Sequence, residues 1–178
     1  MLSQNKLIMI IIGIGSNLPS KYGDRFKNID LAISFIQSYG IKIIKRSSFY
    51  ETPSFPNHKN PKYINIVASI STHLPPVDLV SVTLFIEEKL ERKRNKKNEP
   101  RTLDIDIIDY NGENMDFEYN GQNFTVPHAS LSSRNFVLFP LKEIIPDWIY
   151  PKTKENINIL INKLSEQERN SILKVTKS

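Results

Sequence analysis

The strongest constraint on the fold is the order in which strand-like and helix-like patterns follow one another. Residues 63–72 alternate cleanly, with Tyr63 and Asn65 sharing one side of the predicted strand and Ile64 and Ile66 the other. Similar patterns predict strands at 8–14, 41–50, 102–110 and from Thr125, and helices after Asp24, at Pro76 and from Ser133 to Ile145. Because strands and helices do not alternate strictly, and long loops join several strands, the chain favours an α+β sandwich with a mainly antiparallel sheet.

Other segments lack these patterns. Three prolines exclude regular structure between residues 51 and 62 and predict an exposed loop. The stretch 89–97 is dense in lysine and arginine, which predicts a second, basic loop. After the turn at Asn111-Gly112 we expect a weakly structured stretch as far as about residue 123. The tail from Thr153 predicts a packed helix and a further short element.

Length and composition limit the class of protein. A chain of 178 residues has room for one domain, which we place at 1–150, with 151–178 as a helical tail packed on it. The absence of cysteine excludes disulfides, cysteine zinc sites and a cysteine nucleophile. The apolar stretch 7–14 is far shorter than the roughly 20 residues of a spanning helix. We therefore expect a cytoplasmic protein without a membrane partner, and its net charge of +5 suits an anionic ligand.

The sharpest chemical feature is a pair of aspartates in the predicted strand at 102–110. On an extended strand Asp104 and Asp106 project from the same face, with Cα atoms about 6.6 Å apart. Oxygen ligands of this kind suit Mg²⁺ that is also bound by substrate phosphates. The alternative is that the two carboxylates only line the solvent face of a half-exposed strand.

Cations and aromatic residues elsewhere extend this hypothesis. If they converge on the aspartates, several cations would clamp a polyphosphate: Arg92, Arg94, Arg101, His128 and Arg134. Tyr63 and Phe136 could sandwich a flat heterocycle whose edge Asn65 would bind. Singly, each has a simpler explanation, namely a solvated basic patch, a structural histidine or core packing. No P-loop sequence occurs, so any nucleotide would be held by another kind of fold.

Seven segments together resemble the 6-hydroxymethyl-7,8-dihydropterin pyrophosphokinase family. In chain order they are Ile14-Gly15-Ser16-Asn17-Leu18, Ser48-Phe49-Tyr50-Glu51-Thr52-Pro53, Tyr63-Ile64-Asn65, Glu87, Arg92-Lys93-Arg94, Pro100-Arg101-Thr102-Leu103-Asp104-Ile105-Asp106, and Val126-Pro127-His128 with Arg134-Asn135-Phe136. The resemblance implies a ferredoxin-like α+β fold. It also implies a folate-pathway enzyme that moves diphosphate from ATP to the pterin hydroxymethyl oxygen and releases AMP.

The resemblance also implies a role for each matching residue. Asp104 and Asp106 would bind two Mg²⁺ ions, and Asp106 would help to remove the hydroxyl proton. Tyr63 and Phe136 would stack on the pterin, Asn65 would bind its edge, and the backbone of Thr52, Pro53 and Phe55 would complete that pocket. The phosphates would be bound by Arg92, Arg94, Arg101, His128 and Arg134, while Glu87 and Thr125 would contact the nucleotide side.

The chain departs from the family pattern at three places. Family members commonly carry a tryptophan in the basic loop, whereas the only tryptophan here is Trp148. The aromatic residue often found after Val-Pro-His is Ala129, and the second proline after Glu51-Thr52-Pro53 is Ser54. None of these changes removes a predicted metal ligand.

Two rival functions use the same residues. A small nucleic-acid binder would use the basic loop on phosphates and the aromatic rings on bases, but it leaves the aspartates unexplained. A metal-dependent hydrolase would use the aspartates without an acceptor. We favour the transferase and expect a monomer whose partners are ATP and the pterin, with no nucleic acid.

Overall fold

The computed structural model of the chain describes residues 9–94 and 98–177. Its elements in chain order are β1 (Ile10–Ser16), α1 (Arg25–Ser38), β2 (Lys42–Arg46), β3 (Phe49–Thr52), β4 (Tyr63–Ser71), α2 (Pro76–Lys89), β5 (Asp104–Tyr110), β6 (Met115–Tyr119), β7 (Gln122–Val126), α3 (Asn135–Ile144), α4 (Ile157–Lys163), α5 (Glu166–Asn170) and β8 (Leu173–Val175). A short 3₁₀ turn, Leu131–Ser133, precedes α3.

The main sheet has six strands in the order β5-β1-β4-β3-β8, with β2 also paired to β4. Every pairing in it is antiparallel. The sheet and the mixture of helices and strands confirm the predicted α+β class.

The two faces of this sheet bury different sets of helices. Ile12, Ile14 and their neighbours on one face pack with residues of α1 and α2. On the other face Ile11 and Val67 pack with residues of α3 and α4. Strand β4 is accordingly buried along nearly its whole length. The strand predicted from the alternating pattern of residues 63–72 is confirmed, although the side that carries Asn65 and Val67 is buried as well as the side that carries Ile64 and Ile66.

Helix boundaries follow the local sequence signals. Asp24 caps α1, because its carboxylate accepts a hydrogen bond of 2.8 Å from the Lys27 N–H. Pro76 occupies the first turn of α2, where its missing N–H costs nothing. Both helices were predicted at these positions.

Three predictions need correction. The single strand expected at 41–50 is two strands, β2 and β3. The stretch expected to be weakly structured up to residue 123 is the hairpin of β6 and β7, in which Phe117 stacks on Phe124. The tail contains the strand β8 as well as helices, and β8 pairs with β3 at the sheet edge. The proposed domain boundary at residue 150 stays a prediction.

Two predicted segments extend beyond what the structure describes. Residue 8 of the first predicted strand and residues 95–97 of the basic loop lie outside the described residues. Within 9–94 and 98–177, no helix has both the length and the apolar character needed to cross a membrane.

Candidate active site

The register of the sheet brings the predicted site residues to one face. Gly15 of β1 is the Cα partner of Asn65 on β4 and of Asp104 on β5. Directly paired residues share a face, so Asn65 and Asp104 stand on either side of Gly15, with Cα atoms about 10 Å apart. Gly13 is likewise paired with Asp106. We call this face, with its glycine floor, the site face.

Gly15 leaves room for the amide of Asn65. A Cβ placed on Gly15 would lie only 2.9 Å from Asn65 Oδ1. Asn65 is buried, and its Nδ2 donates a hydrogen bond of 3.1 Å to Thr52 Oγ1. The strand pairing therefore fixes Asn65 beside Tyr63 and Thr52.

Two arginines bind the carboxylate of Asp104. Arg92 pairs with Asp104 Oδ1, and Arg101 donates a hydrogen bond of 3.1 Å to Asp104 Oδ2. Burial alone would raise the pKa of Asp104, but the positive charges of Arg92 and Arg101 outweigh it and hold the pKa below its ordinary value. Asp104 is therefore an ionised carboxylate that two guanidinium groups partly neutralise.

Glu87 forms the buried base of this arginine cluster. Its side chain is 2% exposed, and its carboxylate accepts hydrogen bonds from Arg92 at 2.9 Å, from Arg94, and from the Ile105 N–H at 2.7 Å. Burial and the charge of Asp104 raise the pKa of Glu87 to about 7, against the lowering effect of the arginines. The resemblance implied a nucleotide contact for Glu87, whereas the structure places it beneath the arginines and against β5.

Asp106 forms a second ion pair further along β5. Arg134 donates a hydrogen bond of 3.0 Å to Asp106 Oδ2. Burial and the nearby charge of Asp104 raise the pKa of Asp106, although Arg134 and His128 act in the opposite direction. Burial lowers the pKa of His128, partly offset by the charge of Asp106. The structure thus brings His128 and Arg134 to the second carboxylate.

The aromatic residues occupy different environments. Tyr63 is half-buried, and burial raises the pKa of its hydroxyl. The guanidinium carbon of Arg134 lies 5.4 Å from the centre of the Phe136 ring, so Phe136 contacts the arginine that pairs with Asp106. Phe55, in the first half of the proline-containing loop, is 82% exposed, and the centre of its ring is 6.4 Å from that of His58. Phe136 is therefore held against a site group and Tyr63 is partly shielded from solvent, whereas Phe55 projects into solvent.

Thr125 is engaged in the hairpin. Its hydroxyl donates a hydrogen bond of 2.6 Å to Asp116 on the partner strand. In the described part of the chain this hydroxyl makes no hydrogen bond to the site arginines, Asp104 or Asp106, and the predicted nucleotide contact stays a prediction. Pro53, which directly follows β3, is partly buried, and its side chain has no hydrogen-bonding group.

Sequence reasoning assigned no role to Asn17, although it lies in one of the resembling segments. Asn17 is 1% exposed and hydrogen bonds to both the proline-containing loop and Arg101. The only sequence signal was its position in a short polar run directly after an apolar strand.

The carboxylates of the site suit a Mg²⁺ ion only when a substrate supplies further oxygen ligands. In residues 9–94 and 98–177, no group of three or more histidine, cysteine, aspartate or glutamate side chains could hold an ion. Asp104 and Asp106 nevertheless offer two carboxylates on one face of β5, and Mg²⁺ is commonly held by one or two carboxylates together with substrate phosphates. The residues present therefore fit magnesium bound jointly with a phosphate ligand.

Comparison with known proteins gives a consistent result. Residues 11–146 match the family model described as 7,8-dihydro-6-hydroxymethylpterin-pyrophosphokinase (HPPK). A Synechocystis protein named 2-amino-4-hydroxy-6-hydroxymethyldihydropteridine pyrophosphokinase is 35% identical over 155 residues, which are 86% of this chain and 75% of that protein. The folic acid synthesis protein fol1 of Schizosaccharomyces pombe is 31% identical over 93% of this chain, which covers only 21% of fol1.

Solved structures share the fold. The structure of Plasmodium falciparum HPPK-DHPS wild type with pterin and p-hydroxybenzoate has a TM-score of 0.70 at 16% identity, over 90% of this chain and 44% of that chain. An HPPK-DHPS structure in complex with substrates has a TM-score of 0.66 at 15% identity, over 87% of this chain and 43% of that one. This chain spans less than half of those longer proteins, and at these identities the likeness supports the fold alone.

Proposed function

The chain belongs to the HPPK family of pyrophosphokinase enzymes, and on that ground we propose that it transfers diphosphate from ATP to the hydroxymethyl oxygen of 6-hydroxymethyl-7,8-dihydropterin. The products would be the pterin diphosphate and AMP. The name of the fol1 relative supports a role in folate biosynthesis.

The observation that carries the proposal is the juxtaposition of two carboxylates and four arginines with Asn65 and Tyr63 on the site face. Arg92, Arg101 and Arg134 contact Asp104 or Asp106 directly. A triphosphate bound there would meet charges of both signs, which suits positioning and electrostatic stabilisation of phosphoryl transfer better than covalent catalysis. Tyr63 and Asn65 lie on β4, across β1 from the aspartates, where an acceptor could be held in line with the phosphates.

Asp104 and Asp106 are the residues that would hold magnesium, in our proposal two ions. Bound with the nucleotide, the ions would neutralise phosphate oxygens and make the acceptor hydroxyl more acidic. Asp106, with its raised pKa, would accept the hydroxyl proton, and Arg134 would hold its carboxylate in place. Arg92, Arg94 and Arg101 would stabilise charge on the departing AMP, with Glu87 keeping Arg92 and Arg94 in position.

We assign the pterin pocket to residues beside the two aspartates. Tyr63 and Phe136 would stack on the ring, and Asn65 would bind its edge, completed by the backbone of Thr52, Pro53 and Phe55. His128 would bind a phosphate oxygen beside Arg134, and Thr125 would contact the nucleotide side. The loop at 51–62 and the basic loop would then cover the site and exclude water.

The test is an assay of AMP and pterin diphosphate formation from ATP, the pterin and Mg²⁺. We expect Asp106→Asn to lower turnover by about a hundredfold or more, since it removes a charge needed in the transition state. The matched control is Asp147→Asn, an exposed aspartate outside the site. Formation of AMP and free pyrophosphate regardless of the pterin would instead indicate a hydrolase, and near-normal turnover by Asp106→Asn would refute the carboxylate assignment.

A further inference from the structure

A buried asparagine connects two parts of the site that are far apart in the sequence. Asn17, directly after β1, donates hydrogen bonds from Nδ2 to Ser54 Oγ at 3.2 Å and to the Pro61 carbonyl at 3.1 Å. Its Oδ1 accepts a hydrogen bond of 2.6 Å from the Arg101 N–H. All three partners therefore belong to other segments of the chain.

Ser54 forms the loop's side of this connection. It is 3% exposed, and its hydroxyl donates to the Pro61 carbonyl while accepting from Asn17. Ser54 and Pro61 lie near the two ends of the loop that joins β3 to β4, and the exposed Phe55 directly follows Ser54. The base of the loop is thus closed by buried hydrogen bonds.

Asn17 also holds the backbone of Arg101, the arginine that the proposed function places at the phosphates. The Arg101 carbonyl accepts hydrogen bonds from the N–H groups of Asn17 and Leu18 at 3.0 and 3.1 Å. The Arg101 N–H is bound to the Asn17 side chain, so both polar groups of the Arg101 backbone are held by the end of β1. Because the Arg101 guanidinium reaches Asp104, this backbone position sets where the cation stands.

We propose that Asn17 and Ser54 are positioning residues that hold the base of the proline-containing loop, which contributes to the proposed pterin pocket, in a fixed position relative to Arg101. The proposal rests on the proposed function and deepens it, because it assigns the alignment of the two substrate sites to one buried amide. Neither side chain needs to contact a substrate. Because a buried polar group is costly to leave without a hydrogen-bond partner, the arrangement is strongly specified.

Asn17→Asp removes the hydrogen bonds that Asn17 donates to the loop and keeps the one that it accepts from Arg101. The aspartate has the same shape and keeps an acceptor for the Arg101 N–H, but it has no donor for Ser54 or the Pro61 carbonyl. Ser54→Ala removes the loop's hydroxyl and leaves Arg101 bound to Asn17. The matched control is Ser47→Ala, which removes another buried hydroxyl, one that donates to the Ser48 carbonyl at 2.8 Å and accepts from the Val67 N–H at 3.0 Å.

The experiment measures the dissociation constants of the pterin and of a non-hydrolysable ATP analogue with Mg²⁺ by calorimetry, together with melting temperature. We expect Ser54→Ala to weaken pterin binding about three- to tenfold, as the loss of one or two hydrogen bonds implies, with ATP-analogue binding within about twofold. Asn17→Asp should weaken pterin binding at least as much. Ser47→Ala should change the melting temperature comparably and leave pterin binding unchanged.

A second measurement does not depend on ligand binding. Amide hydrogen exchange in residues 55–61 should become faster in Ser54→Ala and Asn17→Asp than in Ser47→Ala. Equal weakening of both ligands, or exchange in the loop that matches the control, would overturn the positioning role and leave a purely structural one. A wild-type protein that binds no pterin would refute the proposed function, and the exchange result would still decide whether Asn17 holds the loop.

Discussion

Replacing Gly15 by alanine tests the geometry of the pterin side of the site most directly. The added Cβ would lie 2.9 Å from Asn65 Oδ1 and 3.6 Å from Tyr63 Cδ1. The first distance is shorter than an ordinary van der Waals contact, so the Asn65 amide must move away. Because this atom is the end of a side chain and not backbone, the strand can keep its pairing while the amide is displaced.

The size of the effect follows from the bonds that Asn65 would lose. Displacement breaks or lengthens the 3.1 Å bond to Thr52 and turns the amide away from the proposed pterin edge. The amide can offer the pterin edge one donor and one acceptor, and two such bonds with a net value of about 0.5 to 1.5 kcal/mol each give a loss of about 1 to 3 kcal/mol in binding. We therefore expect the pterin dissociation constant to rise roughly 5- to 150-fold, while ATP-analogue binding changes little.

Gly13→Ala is the matched control for this change. Gly13 lies two residues earlier on the same face of β1, and its added Cβ would meet the methyl Cδ1 of Ile108 at 3.3 Å. Both variants add one methyl group to the same face of one strand, but only Gly15→Ala pushes a proposed ligand group. Titration calorimetry and urea unfolding should give similar stabilities and different pterin affinities. Pterin affinity in Gly15→Ala equal to that of Gly13→Ala would refute the reasoning.

Two further predictions concern stacking and the anchoring of α3. Tyr63→Ala should weaken pterin binding by about 1 to 3 kcal/mol and ATP binding much less, and equal losses in calorimetry would contradict the stacking role. Glu143 accepts hydrogen bonds from Tyr50 at 2.6 Å and from the Ser48 hydroxyl at 2.8 Å. Burial would raise the pKa of Glu143, but these hydrogen bonds hold that pKa below its ordinary value. Glu143 therefore stabilises the folded protein at pH values above its pKa in the unfolded chain, and this contribution is lost as the pH falls through its pKa in the folded protein. Urea unfolding of Glu143→Gln should therefore show a loss of about 0.2 to 1 kcal/mol at pH 7 that shrinks in acid, and a loss independent of pH would contradict this assignment.

Sequence periodicity predicted the sheet and its helices because both depend on local patterns. The alternation around Tyr63 and the cap at Asp24 are properties of a few neighbouring residues. The hairpin of β6 and β7 was missed because each strand is only five residues long and half-exposed, and their pairing is stabilised by contacts such as the 2.8 Å bond between Tyr119 and Ser81 of α2. Strand β8 was missed because it is short and depends on β3 for its pairing.

The candidate site shows the same division between local and long-range information. The shared face of Asp104 and Asp106 follows from the period of a strand and agrees with the buried Ile105 between them. The positions of Glu87 and Asn17 depend on which distant segments fold against them. Helical spacing could place Glu87 beside the apolar stripe of α2, but not beneath two arginines. Roles that depend on such long-range contacts need the structure.

The charges at the site explain why nucleotide and cation should bind together if the proposed function is correct. In the substrate-free chain, Asp104 is neutralised by Arg92 and Arg101, and Asp106 by Arg134. A triphosphate would draw these arginines towards its own oxygens and leave two carboxylates close together on one strand without their partners. Two like charges so close in a partly buried site are unfavourable unless a cation lies between them and the phosphates. ATP-analogue affinity should therefore fall steeply when EDTA removes divalent ions, and affinity independent of Mg²⁺ would show that the arginines alone neutralise the nucleotide.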